Sequence, residues 1–374
     1  MGRIINRLDP SDEMARLRSA CEDALPRLYD KEADPAPCEK LQHELALIAE
    51  WGVARDFLAV AEVAQDIRAL GVLVGPGRGS SASSLVCYLL GITVIDPIEH
   101  GLLFERILPP PGELLDIDIN IPLERLDDVA EALTGAPAAY PYNLTVTRGV
   151  TKVDLCGLPA LDRVERALGV IGSPALANPW ALPLDDADTY KLLALAPADR
   201  EIHGFLTVIS CATTLRELQT RDFADLAAVV ALNRPGTYEV LERYVESCRG
   251  GAYVSDIPEV ADLLHDSRGL LIYQEQVLRI AVELAGLDAA TANSLRKAIG
   301  RSNTARLDEV RPHFIGGAME RGLGDEAAER TWSFLLTHGG NSFCKSHAVA
   351  VALIGYVEAY LEAHYPEARA TALG

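Results

Sequence analysis

The chain has 374 residues, 49% of them hydrophobic, with a formal net charge of −20 and a pI of about 4.8. That length supports two or three compact units, and the apolar share excludes global disorder. The acidic balance argues against a protein whose main work is gripping nucleic acid through basic surface, although a local basic cleft is compatible with it.

Apolar spacing predicts helices over residues 11 to 66. "SDEMARLRSACEDALPRLYD" opens on Ser-Asp, and a second run from Cys38 repeats the pattern until Gly71. "VLVG" (72–75) reads as a short buried strand that enters "GPGRGSS", and a helix is expected over "SSLVCYLLGI". The alternation in "ELLDIDINI" predicts a half-exposed strand over 116–121. After a Gly/Pro/Ala linker, "LTVT" and "TKVDL" are β-branched and read as two more strands. "PALDRVERALGVIG" reads as a helix, and the proline-rich "SPALANPWALPLDDADTY" as a connector. Helices are then expected at 187–197, 212–232, 256–266, 270–301, 304–321, 324–337 and 346–364. The fold class is α+β, a small strand-bearing unit followed by a helical half.

The seven cysteines (21, 38, 87, 156, 211, 248 and 344) are odd in number and form no C-x-x-C pair. They are expected to be reduced thiols rather than disulfides or a zinc site. No apolar run reaches membrane-spanning length, so a cytoplasmic location is expected.

Four features carry chemistry. A strand, a Gly-rich turn and a helix start make an anion cradle, because glycines let the backbone approach and helix-terminal N–H groups favour a phosphate. Arg78 and Ser80 would add charge and a hydroxyl. A plain tight turn is the equal alternative, since "GPGRGSS" matches neither common phosphate-loop pattern. Asp116 and Asp118 stand at i and i+2 of a strand and so share a face. Two such carboxylates repel unless a cation lies between them, which points to divalent metal with oxygen ligands. An exposed acidic edge is the other reading. Asp154, in the later strand, gains meaning if the two strands are neighbours, because three carboxylates can then hold two Mg²⁺ ions. Finally, Arg234, Arg296, Lys297, Arg301, Lys345 and His347 are basic positions in the helical half that read as triphosphate ligands or as solvated and packing residues.

The order and spelling of these segments resemble one family. "GPGRGSSASSLVCYLLGITVIDPIEHGLLFERIL" followed by "LLDIDIN" looks like the palm of bacterial C-family DNA polymerases, the polymerase III alpha subunits. "TKVDLCGL" resembles their third palm aspartate motif, and "VVALNRPGTYE", "GLLIYQEQVLRIAVELAGLDAATANSLRKAIGR" and "NSFCKSHAVAVALIGYVEAYLEAHYPE" resemble successive fingers blocks. The resemblance implies a polymerase-beta-type nucleotidyltransferase palm over 56–175, with 1–55 a helical segment packed on it and 176–374 a helical fingers domain. It implies two Mg²⁺ ions, with Mn²⁺ a possible substitute, on Asp116, Asp118 and Asp154. Gly79 and Ser80 would contact the triphosphate with Arg78 and Arg106 nearby, and Arg234, Arg296, Lys297, Arg301, Lys345 and His347 would serve the nucleotide from the fingers.

The departures from the family share a direction. Asn120 stands where many members carry a further acid, as it does in the Gram-positive branch. Cys344 replaces a usual Asn, and the fingers look shortened between Gly236 and Gly269. The interval 119–153 is too short for the family's thumb, and the phosphoesterase-like and C-terminal parts of the family are not matched. The leading expectation is therefore a non-processive nucleotidyltransferase that uses an NTP or dNTP and a nucleotide, short oligonucleotide or small-molecule acceptor. It would bind duplex DNA weakly alone and would have no membrane partner. The alternatives are a minimal template-directed DNA polymerase that borrows its DNA grip from a partner, and an inactive scaffold.

Overall fold

The computed structural model describes residues 10–30, 34–107, 115, 117–138, 140–148, 151–195, 209–250 and 257–373. The chain divides into two compact units, residues 1–182 with 353–374, and residues 183–352.

The first unit opens with three helices, α1 (Pro10–Leu28), α2 (Ala36–Trp51) and α3 (Ala54–Ala69). The predicted continuous run is divided at Gly52, whose backbone sits at φ 67 and whose amide bonds back to the carbonyls of Ile48 and Ala49. A left-handed residue of this kind ends a helix. "VLVG" is no strand. Val72 and Val74 are buried, and only the Gly75 amide reaches the sheet, at the Asn120 carbonyl (2.7 Å). A short 3₁₀ turn (Ser81–Ser83) and the five-residue helix α4 (Leu85–Leu89) follow.

The sheet has three strands, β1 (Ile119–Pro122), β2 (Asn143–Arg148) and β3 (Thr151–Leu158), in the order β1-β3-β2. β1 runs parallel to β3, and β2 is antiparallel to it. β1 begins three residues later than the alternation predicts, and Asp116 lies outside the described residues. Ile117, Ile119, Ile121, Leu144, Val146, Val153 and Leu155 all join the core with the first four helices. Period-two alternation therefore turns the polar positions to the other face. Helix α5 (Leu126–Thr134) buries Leu126, Val129 and Ala130 and stops at Gly135 (φ 78). Helix α6 (Pro159–Ile171) starts on Pro159, which has no N–H to lose at that position, and ends at Gly172 (φ 60).

Residues 353–374 return to this unit, where the sequence reading had grouped them with the fingers. The cause is visible in side chains. Glu358, 1% exposed, accepts from Arg163 of α6 (2.7 Å), and Arg369 of the terminal helix α16 (Pro366–Leu373) lies 3.7 Å from the same oxygen.

The second unit is helical among its described residues. It comprises α7 (Ala187–Leu195), α8 (Ile209–Leu218), α9 (Phe223–Leu232), α10 (Tyr238–Cys248), α11 (Gln274–Arg279), α12 (Ala289–Gly300), α13 (Thr304–Glu320), α14 (Asp325–His338) and the first turns of α15 (Lys345–His364). The predicted helix over 212–232 is two helices. Gln219 adopts φ 51, and the Asp222 carboxylate accepts from the Asp225 amide to start α9. The 270–301 run is likewise divided, into α11, a π-helical turn (Ile280–Leu284) and α12, and residues 258–267 are 3₁₀ turns. Helices α10 and α16 escape the sequence reading. The first is short and strongly amphipathic and follows the Pro-Gly turn at 235–236, and the second begins on Pro366.

Candidate active site

Parallel pairing decides the geometry at the first two described carboxylates. Ile119 pairs with Leu155, so Asp118, immediately before β1, is set beside Asp154 of β3. Both lie on the sheet face opposite the core. One step along, Asn120 pairs with Cys156 on that same face. Asp154 also faces β2, where its register partner Thr145 donates its hydroxyl to the carboxylate (2.5 Å). Asp118 is only 21% exposed, and Arg78 places Nε 3.3 Å from its Oδ2.

The Gly-rich turn is held against β1 twice by one residue. The Gly75 amide donates to the Asn120 carbonyl, and the Asn120 side chain donates from Nδ2 to the Gly77 carbonyl (3.1 Å). Gly77 at φ +117 is confined to glycine by its backbone, and an added Cβ would also lie 2.9 Å from Thr93 Cγ2. Gly79 (φ +56) makes the next bend, and the Ser81 hydroxyl donates to the Arg78 carbonyl (2.6 Å). The half-exposed stretch Arg78-Gly79-Ser80 is thereby set beside Asp118. Arg106 is half-buried in a 3₁₀ turn, Phe104–Arg106, of the same unit.

One expectation about this turn needs correction. The helix that follows it does not offer its N-terminus to an anion, because a protein carboxylate already occupies that place. Glu44 of α2 is fully buried and accepts from the amides of Leu85 (2.9 Å) and Val86 (3.0 Å) and from the Ser84 hydroxyl (2.9 Å). Ser84 in turn caps the Cys87 amide. Burial raises the Glu44 carboxyl above its ordinary value, against the pull of Lys40 (3.5 Å) and the three donors. An anion at this turn therefore has to be held by the 78–80 segment itself. Glu44 escaped notice because a Glu within a helical pattern reads as a solvated position, and nothing local announces a partner 41 residues away.

Cys156 is a further neighbour that spacing alone does not announce. Burial raises its thiol, the Arg78 guanidinium lowers it, and Asp118 and Asp154 add to the rise. All four side chains thus share one small patch. Asn120 combines a satisfied amide with a buried Oδ1 that has no hydrogen-bond partner among the described residues. We expect Asn120→Asp to cost about 2 kcal/mol, because it places a buried carboxylate oxygen against the Gly77 carbonyl in place of a donor. Thermal unfolding of the variant beside Asn120→Ala, which loses the bond without adding charge, checks this.

The basic positions of the helical half all belong to the second unit. Four gather around the bridge that pairs Tyr273 with Phe343. Arg234 stacks its guanidinium over the Phe343 ring (4.5 Å) and donates to the Asn341 carbonyl (2.7 Å), and burial lowers its pKa. His347 meets the same ring at 5.6 Å. Arg296 donates to Gln274 (3.1 Å), and Lys345 donates to Asp266 (2.6 Å) while lying 5.5 Å from the Tyr273 ring centre. Glu275, buried, accepts from the Lys345 amide (2.8 Å) and so starts α15. Lys297 and Arg301 stand at the end of α12, half-buried and exposed respectively.

The donor set suits a hard cation. Asp118 and Asp154 present oxygens alone, which is what Mg²⁺ takes. Among the described residues no three His, Cys, Asp or Glu side chains gather as a metal site, and the third expected ligand, Asp116, is not among the described residues.

Adjacent carboxylates on a small mixed sheet, a Gly-rich turn beside them and a mostly helical second unit define a palm-like nucleotidyltransferase core with a helical fingers region. Comparison with known families agrees. Residues 15–139 match the bacterial DNA polymerase III alpha NTPase domain, and residues 161–322 match the bacterial DNA polymerase III alpha subunit finger domain. Among curated relatives, the DNA polymerase III subunit alpha of Halalkalibacterium halodurans is 27% identical over 97% of this chain and 43% of its own length. The subunits of Saccharopolyspora erythraea and Thermus aquaticus are each 28% identical, over 95% and 87% of this chain and 41% and 37% of their own lengths. The chain is thus DNA polymerase III alpha-like, covering the NTPase and finger portions of that family, and it spans about two fifths of the length of these relatives.

The first alignment runs over 487 positions, more than the 374 residues of the chain, so the relative carries inserted segments within the matched region. Between Asp118 and Asp154 this chain has, among its described residues, only β1, a 3₁₀ turn, α5, β2 and the start of β3. It is thumbless in that interval. No helix among the described residues is long and apolar enough to cross a membrane.

Proposed function

We propose that this chain is a minimal DNA polymerase-type nucleotidyltransferase that extends a 3′-hydroxyl with a nucleotide. The hydroxyl oxygen bonds to the α-phosphorus of a dNTP or NTP, the bond from that phosphorus to the bridging oxygen breaks, pyrophosphate leaves, and the hydroxyl proton passes to solvent. The observation that carries the reading is the register that sets Asp118 beside Asp154, next to Arg78. Asp116, Asp118 and Asp154 would hold two Mg²⁺ ions, which supply activation of the hydroxyl and neutralisation of the leaving pyrophosphate. Arg78, Gly79 and Ser80 would bind phosphate oxygens through the guanidinium, backbone amides and hydroxyl. Asn120 keeps that turn in place, and Thr145 orients Asp154. Arg234, Arg296, Lys297, Arg301, Lys345 and His347 are proposed as the nucleotide-facing set of the fingers, with Arg106 assisting from the palm.

The sequence alone favours a nucleotide, a short oligonucleotide or a small molecule as acceptor. The relatives are DNA polymerase subunits along both matched modules, which moves a primed template to the front. The second reading keeps one specific support: the thumbless interval and the net charge of −20 leave little with which to grip a duplex. Two assays on the same preparation separate them. Gel extension of a primed template with dNTPs and Mg²⁺ is expected to add a few nucleotides per binding event, with strong salt sensitivity. If the primer stays unextended while mass spectrometry finds nucleotide adducts from dNTP or NTP alone, the small-acceptor reading replaces it.

A further inference from the structure

We propose that Arg78 stands in for a cation at Asp118 and exchanges that place for the phosphates of the nucleotide, so that metal and nucleotide bind as one coupled event. The proposal rests on the nucleotidyl-transfer reading above and assigns Arg78 a positioning role beyond contact with the nucleotide.

Asp118, immediately before β1, is set beside Asp154 of β3, and neighbouring like charges repel unless neutralised. The guanidinium of Arg78, with Nε 3.3 Å from Asp118 Oδ2, supplies that neutralisation. A divalent ion on the same carboxylate adds positive charge next to the guanidinium, so the two compete. The side chain of Arg78 is 36% exposed, at the rim of the patch and not walled in. It is carried between two glycines at φ +117 and φ +56. Once displaced, a planar fork of N–H donors beside the metal site matches phosphate oxygens. Coupling of this kind is reciprocal: whatever nucleotide does for metal affinity, metal does for nucleotide affinity.

The test is Mn²⁺ binding to the full chain, read as the loss of the free Mn²⁺ electron paramagnetic resonance signal, with and without a non-hydrolysable dNTP analogue. Without nucleotide, Arg78→Gln is expected to bind Mn²⁺ about three- to tenfold more tightly than wild type, because a competing positive charge is gone. The analogue should tighten Mn²⁺ about tenfold or more in wild type and lose most of that factor in Arg78→Gln. Arg78→Lys keeps the charge and should stay within about twofold of wild type without nucleotide. A gain of affinity is not what a misfolded site produces. Equal or weaker Mn²⁺ binding by Arg78→Gln overturns the proposal while the metal site stands. Mn²⁺ binding that Asp118→Asn leaves unchanged removes the metal-site reading itself, and the proposal with it.

Discussion

Asp118→Asn is expected to lower the rate of nucleotide addition by about a thousandfold or more, equivalent to about 4 kcal/mol of transition-state stabilisation. The substitution is nearly isosteric and removes a charge that faces Asp154, so the fold should be kept or slightly stabilised. Arg78 loses its ionic partner in the same step, and phosphate contacts by that side chain should survive. Retained nucleotide binding with lost turnover is therefore the signature to look for, read by single-turnover extension beside nucleotide titration. Asp154→Asn should behave alike, and the double variant should be little worse than either single one, because both acids serve one site. Turnover within about tenfold of wild type would remove Asp118 from the chemistry and leave the patch a structural ion cluster.

Glu44→Ala is expected to be the most damaging change away from the chemistry, costing about 3 kcal/mol or more. It strands the Leu85 and Val86 amides and the Ser84 hydroxyl in a buried place and removes the carboxylate that faces Lys40. Because only the 3₁₀ turn Ser81–Ser83 separates α4 from the Arg78-Gly79-Ser80 segment, nucleotide affinity should fall along with stability. Glu44→Gln keeps an acceptor oxygen and separates the charge from the shape. Burial raises the Glu44 carboxyl in the folded chain above its ordinary value of 4.5. The folded state then binds the proton more tightly than the unfolded state. Between 4.5 and the raised folded value, wild-type stability falls as pH rises, and it is highest below 4.5 as far as this group is concerned. Glu44→Gln lacks that contribution, so its stability relative to wild type should climb with pH across the same window. Urea unfolding followed by circular dichroism at a series of pH values reads both effects. A difference between the two proteins that stays flat with pH would show that the donors around Glu44 offset its burial.

Both predictions show which parts of the site were legible in one dimension. The β-branched run around Asp154 announces its strand, because side-chain direction repeats every two residues whatever the surroundings, while the alternation from Asp116 onward is followed by a strand only from Ile119. The glycines of "GPGRGSS" announce a turn, because φ values such as those of Gly77 and Gly79 exclude other residues. Helix ends were legible where a glycine or proline marks them, as at Pro159 and Gly172, and the start of α15 was legible within a residue, whereas Gly135 and the break at Asp222, where a side chain caps the next helix, were not read. The Gly-rich turn was misread in one respect for the same reason. A helix N-terminus looks like an anion site in sequence, but whether its amides are open depends on what packs there, and here Glu44 does.

The sequence by itself therefore determined the class of chemistry, through a glycine turn with an arginine and the motif order of a polymerase palm and fingers. These are local or strictly ordered properties, written in residue types and spacings. Tertiary structure alone decided that Asp118 and Asp154 share a register, that Arg78 rather than open solvent meets Asp118, and that Asn120 and Glu44 hold the turn from either side. It also decided that four basic residues converge on the Tyr273–Phe343 bridge. Each of these joins residues tens of positions apart. Such pairings are set by the burial of a shared core and the satisfaction of buried polar groups, terms that belong to the whole chain and leave no mark in any single stretch of it.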